Sequence, residues 1–319
     1  MVTLPRIAPM LATPGGLPAP AAESHWAAET KYDGQRCVVY VPGEGAVTLL
    51  SRTGKEITAA YPEMRGLGEA LGGVPAVLDG EVVALDERGR PDFERLQSRM
   101  GLSGAPAKAD RMAQAVPAHL VLFDVLFLGG GSLLSRTYLE RRAELEGLGL
   151  RGPNWSTPAA IVGHSAQAYD AALEHGLEGV ILKRTSSVYQ PGVRSRAWIK
   201  IRHVRTVDVI VGGWVPGRGR LGGLPGAVLV GRPEEGALRY AGSVGTGWSE
   251  RERVDLARLL DSAASEECPF STVPPVTGAR WVLPRLVGEV RYATRTRAGL
   301  LRQPSWHRLR PDLAPEDIS

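Results

Sequence analysis

Cysteine is scarce: two thiols, Cys37 and Cys268, in 319 residues. They supply neither a disulfide framework nor a zinc quartet, and so few thiols suit a reducing compartment such as the cytosol. Long apolar runs are missing too. The longest, Ala118 to Gly130, is broken by His119 and Asp124 and falls short of the roughly 18 apolar residues that a membrane span requires. The first 28 residues carry prolines at 5, 9, 14, 18 and 20 and lack a basic start followed by an unbroken apolar stretch, so they do not read as a signal peptide. There is no serine-hydrolase elbow, no H-E-x-x-H helix and no ligand spacing among the six histidines. Gly217, Gly219 and Gly222 fit G-x-G-x-x-G, but a strand-like GAVLVG follows them where a dinucleotide site needs a helix, so they read as a glycine-rich hairpin loop.

Lysine is the most telling shortage. Five lysines (31, 55, 108, 183 and 200) stand against 33 arginines. Arginine stays charged, whereas a perturbed lysine can lose its proton and become a nucleophile, so the few lysines retained are the first residues to weigh for chemistry.

What is present is an ordinary globular composition, 43% hydrophobic and 23% charged, in a length that predicts about two domains. Net charge is +4; residues 1–203 carry 22 basic and 21 acidic side chains, residues 204–319 carry 16 and 13. Between Arg291 and Arg310 lie six arginines and no acid, interleaved with Tyr292 and Trp306. Such a run fits a polyanion, either nucleic acid or a triphosphate, or else a solvated arginine-rich face.

Strand and turn patterns dominate the start, in TKYDGQRCVVYV and AVTLLSRTGKEI around a Pro-Gly-Glu-Gly break. Helical spacing follows at 61–71, then AVLDGEVVALDERGRP as a strand pair turning at 87–89, a helix from Phe93, a buried strand HLVLFDVLFL, and helices at 138–148 and 166–175. GVILKR and AWIKIR read as two more strands, which makes residues 1–203 an α+β domain. Beyond a hinge at 203–207, short strands in Gly/Pro/Arg loops, a helix at 249–264 and strand at 281–293 predict a small β-barrel with one helix over 204–319.

The sharpest motif is K-x-D-G-x-R at Lys31, Asp33, Gly34 and Arg36. LDGEVVAL (78–85), LEGVILKR (177–184) and WIKIR (198–202) follow in order. Together these residues make the sequence resemble the covalent nucleotidyltransferase superfamily, most closely the short bacterial ATP-dependent DNA ligases, over nearly the whole chain from PMLA at Pro9. The resemblance implies an adenylation domain of antiparallel sheets and helices followed by an oligonucleotide-binding β-barrel.

It also implies a set of roles. Lys31 fills the position of the nucleophile that attacks the α-phosphorus of ATP. Lys183 and Lys200 would be cations near it, lowering its pKa and neutralising the phosphate. Glu81 and Glu178 fill the positions that hold Mg²⁺, for which Mn²⁺ can substitute; their plain alternative is a pair of exposed strand-end carboxylates. Glu29 marks the strand whose backbone reads the adenine, and Arg36 and Arg52 lie by the ribose and phosphates. Phe123 corresponds to the aromatic that stacks on the base, or else is a core residue beside Phe127 on the same strand face. Arg194 and Ser195 match a segment near the phosphate of the nick. LRQPSWHRLRPD resembles the last motif of the barrel, so Arg302, Arg308 and Arg310 are candidates for contacts to pyrophosphate or DNA. Leu313 departs from that motif, which usually has a lysine there.

The expected function is an ATP-dependent ligase sealing nicks in duplex DNA, in repair or end joining, with a separate DNA end-binding protein as a possible partner. The expected protein is a monomer without membrane association, working in the bacterial cytosol on nucleoid DNA. The rivals are an RNA ligase or mRNA-capping guanylyltransferase, and, from another class, a non-catalytic single-strand binder. PDFERLQSRM favours the DNA-ligase pattern, and the lysine and glutamate set argues against a mere binder.

Overall fold

The computed structural model describes residues 3–43, 45–296 and 298–318; Glu44 of the Pro-Gly-Glu-Gly break and Arg297 of the arginine run lie outside the described residues. The chain divides between His203 and Val204 into two compact units.

In the first unit the strands, in chain order, are β1 (Leu11–Pro14), β2 (Trp26–Thr30), β3 (Gln35–Val41), β4 (Thr48–Ser51), β5 (Ala76–Ala84), β6 (Ala118–Leu128), β7 (Gly131–Ser132), β8 (Trp155–Ser156), β9 (Ile161–Val162), β10 (Gly179–Arg184) and β11 (Arg194–Arg202). They form two sheets, ordered β1-β11-β10-β2-β9 and β4-β3-β5-β6-β7, with β8 added beside β6. Strand alternation sorts the side chains into three layers. Cys37, Val39, Val41, Leu78, Val82, Leu120 and Leu122 of the second sheet face a core closed by the helical segments that contribute Leu67, Leu96, Ala109 and Leu145. Val38, Tyr40, Val77 and Phe127 of that sheet meet Met10, Tyr189 and Trp198 in a separate cluster. On the far side of the first sheet, Trp26, Ala28, Val180, Leu182 and Ile201 pack on Ala168 and Ala172 of the helix Ser165–Glu174.

Two stretches depart from the sequence reading. Helical spacing at 61–71 resolves into 3-10 turns and a single α-helical turn, Leu67–Ala70, because Pro62, Gly66 and Gly68 interrupt it. The strand pair expected over 76–91 is one long strand, β5, paired with β3 and β6; only an isolated bridge, Leu85 to Pro91, joins its end to the returning chain.

The second unit contains β12 (Arg205–Pro216), β13 (Pro225–Glu234), β14 (Ala237–Val244), β15 (Ala264–Ser265), β16 (Arg280–Tyr292) and β17 (Ser305–Leu309). They build one antiparallel sheet, β14-β13-β12-β16-β15, with β17 also on β16. Register shifts in β12 and β16 mark bulges, which bend long strands so that one sheet can curl around its own core. Val211, Trp214, Val230, Val290 and Trp306 fill that core, with Leu256 and Leu260 supplied by the helix Glu250–Ser262. Ser249 starts this helix with a reciprocal capping box to Glu252. Residues 217–222 form a loop with a short 3-10 turn that leads into β13.

Candidate active site

Lys31 lies in the connection that carries the chain from β2 in one sheet to β3 in the other, so its position is set where the two sheets approach. Its backbone N–H donates to the Gly179 carbonyl at 2.9 Å, which ties K-x-D-G to the start of β10. Gly34 has no room for a side chain: a Cβ there would stand 2.3 Å from the Val82 carbonyl oxygen. A Cβ on Gly179 would stand 2.0 Å from the Ile201 carbonyl oxygen. Gly34 thus permits the close approach of the K-x-D-G segment to β5, and Gly179 that of β10 to β11.

Alternation aims the other motif residues into the same space. On β5, Leu78 and Val82 face the helix-covered core, so Asp79 and Glu81 face the other way. On β10, Val180 and Leu182 pack on the helix Ser165–Glu174, which leaves Ile181 and Lys183 on the opposite side. On β11, Trp198, Lys200 and Arg202 share a face. A cavity of about 220 Å³ results, lined by Glu29, Lys31, Arg36, Arg52, Glu81, Phe123, Lys183, Arg194 and Lys200, together with Ile181, Trp198 and Arg202. A second cavity, about 550 Å³, shares Lys31, Arg36, Arg52, Glu81 and Arg202 with the first and opens toward Ser51–Lys55 and Met100–Ser103.

The charges are arranged in two groups. At one end, the Lys31 ammonium pairs with Glu178, whose other oxygen accepts from Arg202 at 3.0 Å. Glu81 is close enough to feel both Lys31 and Glu178, and desolvation in the cleft pushes it up to about 7 despite the opposing pull of Arg36 and Lys31. Burial lowers Lys200 from its ordinary value, and the neighbouring charges of Arg202, Arg194 and Lys31 lower it further.

At the other end, Lys183 is almost wholly buried, bonded to Glu29 at 2.8 Å and to the Phe123 carbonyl at 3.0 Å, with its Nζ 4.4 Å from the centre of the Trp198 ring. Burial lowers its pKa, opposed by Glu29. Glu29 also accepts from the Tyr138 hydroxyl at 2.5 Å. The aromatic Phe123 sits between these groups, its ring centre 4.5 Å from the Arg36 guanidinium carbon and 4.6 Å from Lys183 Nζ. It lies against the cluster that contains Phe127, so packing and cavity lining coexist in one half-buried side chain.

Arg36 itself is held rigidly. Its guanidinium binds both oxygens of the fully buried Asp79, at 2.6 and 2.7 Å, and Tyr189 donates to the same carboxylate at 2.6 Å. Arg194 is exposed and donates to the Ala12 carbonyl at 2.7 Å, while Ser195 Oγ accepts from the Ala197 N–H at 3.1 Å.

Sequence reasoning missed three of these residues. Asp79 fixes Arg36, Trp198 walls the cavity beside Lys183, and Arg202 is the cation that shares Glu178 with Lys31. The alternation in W-I-K-I-R was the available signal for Trp198 and Arg202, since it puts them on the face of Lys200. Lys183 is engaged by Glu29 at the aromatic end of the cavity, while Arg202 and Lys200 are the cations that interact with the Lys31–Glu178 pair.

In the second unit, Arg308 bonds Glu289 at 2.7 Å and Arg310 binds Asp312 at 2.8 Å and Asp208 at 2.9 Å. Arg302 is half-buried, and its backbone N–H donates to the Thr294 carbonyl. Trp306 is buried in the core, 5.9 Å from Trp248 between ring centres, so it offers no face for a base. Leu313 packs against Ile210, Val287 and Ile318, which gives the departure at this position a structural role as an apolar anchor for the C-terminal segment.

Comparison with known proteins accords with this arrangement. A family model described as "ATP dependent DNA ligase domain" matches residues 9–202, and one described as "ATP dependent DNA ligase C terminal region" matches residues 222–313. The multifunctional non-homologous end joining DNA repair protein LigD of Mycobacterium tuberculosis is 42% identical over 98% of this chain. LigD of Pseudomonas aeruginosa is 34% identical, also over 98% of this chain. The chain spans 39% and 36% of the lengths of these two relatives. A solved structure of mycobacterial DNA ligase D complexed with ATP and MES is 41% identical, covers 98% of both chains and superposes with a TM-score of 0.56. The pairing of a nucleotidyltransferase unit with a curled, oligonucleotide-binding type of barrel is the architecture of these ligase domains, and the chain belongs to the ATP-dependent DNA ligase family.

Proposed function

We propose that this chain seals nicks in duplex DNA at the expense of ATP, and that it does so in the joining of broken ends, the process for which the LigD relatives are named. The observation that carries the reading is the place of Lys31: its amine stands where the nucleotide-sized cavity meets the larger open one, within a ring of cations. A phosphoramidate formed there can be loaded from one side and unloaded to the other.

Three displacements at phosphorus follow. The Lys31 amine, after shedding a proton, bonds to the α-phosphorus of ATP as the bond to the β-phosphate oxygen breaks and pyrophosphate leaves. The 5′-phosphate of the nick then takes the AMP and restores the free lysine. Finally the 3′-hydroxyl attacks that phosphate, AMP departs, and a phosphodiester remains. Charge accumulates on phosphate oxygens each time, and Arg36, Arg52, Lys200 and Arg202 are the side chains of this chain that can offset it.

Magnesium fits the donor set. Among the described residues no group of three metal-ligating side chains occurs, but Mg²⁺ commonly takes one or two carboxylates and completes its shell with substrate phosphates and water. Glu81 and Glu178 are oxygen donors beside Lys31, and a carboxylate raised to about 7 gains most from an arriving cation. These two would hold the ion, which supplies charge neutralisation at the phosphates. EDTA should therefore stop lysine adenylation, with Mg²⁺ or Mn²⁺ restoring it. Glu81→Ala should slow it by about 10²-fold or more, the usual effect of deleting one charge-stabilising group from a reaction centre. Single-turnover adenylation at saturating ATP measures this, and a rate within a few-fold of wild type would remove Glu81 from the role.

The reading as a whole is tested by incubating the protein with labelled ATP, GTP or NAD. A covalent protein–nucleotide adduct that survives denaturation and alkali but is released by acid, as a lysine–phosphorus bond requires, should form with ATP, and a singly nicked duplex should then be sealed. A guanylyl adduct, or sealing confined to RNA, would favour the capping or RNA-ligase alternatives. The bacterial cytosol, action as a monomer and cooperation with an end-binding protein belong to the same proposal.

A further inference from the structure

The larger cavity has a wall that the nucleotide cavity does not share. It is the turn after β4, and it ends in a lysine to which the sequence assigns no role. Lys55 lines only the larger cavity, whereas Lys31, Arg52, Glu81 and Arg202 line both.

The turn is fixed in place. Ser51 N–H donates to the Lys55 carbonyl and Gly54 N–H to the Ser51 carbonyl, each at 2.8 Å. The Ser51 hydroxyl accepts from the Lys55 N–H at 3.2 Å, and Arg6 clamps the Gly54 carbonyl from outside at 2.8 Å. Gly54 itself has φ +79°, a left-handed turn position suited to glycine. The Lys55 side chain, by contrast, is exposed and forms no ion pair among the described residues. An anchored backbone carrying a free ammonium at the rim of a reaction cavity is a fitting for an anion that arrives from solvent.

Geometry limits what that anion can be. AMP on Lys31 must be reached by an acceptor phosphate, and the base end of the nucleotide cavity is closed by Phe123, Trp198 and Lys183. The larger cavity offers an approach to the same amine on the side away from that closed end, and at about 550 Å³ it exceeds what a lone pyrophosphate needs. Resting on the ligase reading, we propose that Lys55 binds a backbone phosphate of the nicked DNA strand next to the reacting end, and so helps seat the acceptor against the Lys31 adenylate.

The test separates the DNA-dependent step from the DNA-independent one. In the full chain, Lys55→Ala, Lys55→Glu and Lys55→Arg are compared for Lys31 adenylation with labelled ATP, for nick affinity across a salt series, and for single-turnover AMP transfer to a nick. Lys55→Ala should adenylate like wild type, bind the nick about tenfold more weakly near 0.1 M salt, and show a salt slope shallower by about one. Lys55→Glu should be weaker still, and Lys55→Arg should recover most of the affinity. Unchanged nick affinity and salt slope in Lys55→Ala and Lys55→Glu would overturn the assignment. So would adenylation falling in step with nick binding, which would put Lys55 in the ATP site instead. Failure of the wild type to adenylate at all would count against the ligase reading and is seen in the first arm alone.

Discussion

Lys31→Ala is expected to form no detectable adenylate with ATP, yet still to seal a nick that already carries a 5′-adenylate. The attacking group must be an amine that can shed its proton, so Lys31→Arg should fail as completely while keeping the positive charge. Loss of fold is not the cause in either case. Glu178, the partner of Lys31, keeps its contact with Arg202 at 3.0 Å, so removal of the lysine leaves no buried carboxylate stranded. Intact-protein mass spectrometry reads the first step as the gain of one AMP, and gel assays on pre-adenylated nicks read the last. An adenylated Lys31→Ala protein would place the nucleophile elsewhere, and Lys200 would be the next amine to examine because it lines the same cavity.

The two halves of that expectation differ in how they could be foreseen. Lys31 was legible as the candidate nucleophile because lysine is rare and K-x-D-G-x-R stands in order with three further motifs. The faces of the strands were legible too, since Asp79 and Glu81, or Trp198, Lys200 and Arg202, alternate with apolar residues at the strand period. What the sequence could not display is which strands meet. Glu29 reaches Lys183 because β2 pairs with β10 antiparallel, with Ala27 opposite Lys183 and Glu29 opposite Ile181, a partnership across some 150 residues of chain. That pairing engages Lys183 at the aromatic end, while Arg202 and Lys200 interact with the Lys31–Glu178 pair.

A similar limit applies to the arginine-rich C-terminus. Its composition was plain, but Trp306 is a core residue of the second unit and Arg310 is engaged by two carboxylates, neither of which a local run can reveal. Leu313 shows the reverse case. It breaks the motif it belongs to, and the break makes sense only once Ile210 and Val287, distant in sequence, are seen to form its packing site.

The largest expected effect on stability lies just behind the nucleotide cavity. Asp124 and Arg141 are both almost fully buried, and the guanidinium binds the carboxylate twice, at 2.7 and 2.9 Å. Two backbone carbonyls, of Arg136 and Ser187, accept from the Nη1 of Arg141. Asp124→Ala would leave a charged guanidinium inside the first unit with no counter-charge, at a cost of about 3–5 kcal/mol. That is a large share of the roughly 5–15 kcal/mol by which a domain is usually stable, so the melting of the first unit should shift down markedly. Asp124 also directly follows Phe123, whose carbonyl holds Lys183, so ATP should protect the variant less than it protects wild type. Arg141→Met alone would strand the carboxylate and should be similarly costly. Combining Asp124→Leu with Arg141→Met removes both charges, and the double variant should recover most of the loss, because a buried ion pair is often replaceable by apolar packing even where neither half can be removed singly. Thermal and urea unfolding of wild type, Asp124→Leu, Arg141→Met and their combination, with Asp124→Ala beside them and followed by a probe in the first unit, decides the matter. Additive losses in the double variant would show that the two residues stabilise the unit through separate contacts, and a single Asp124→Ala loss below about 1 kcal/mol would show that the guanidinium finds solvent or another partner when the carboxylate is gone.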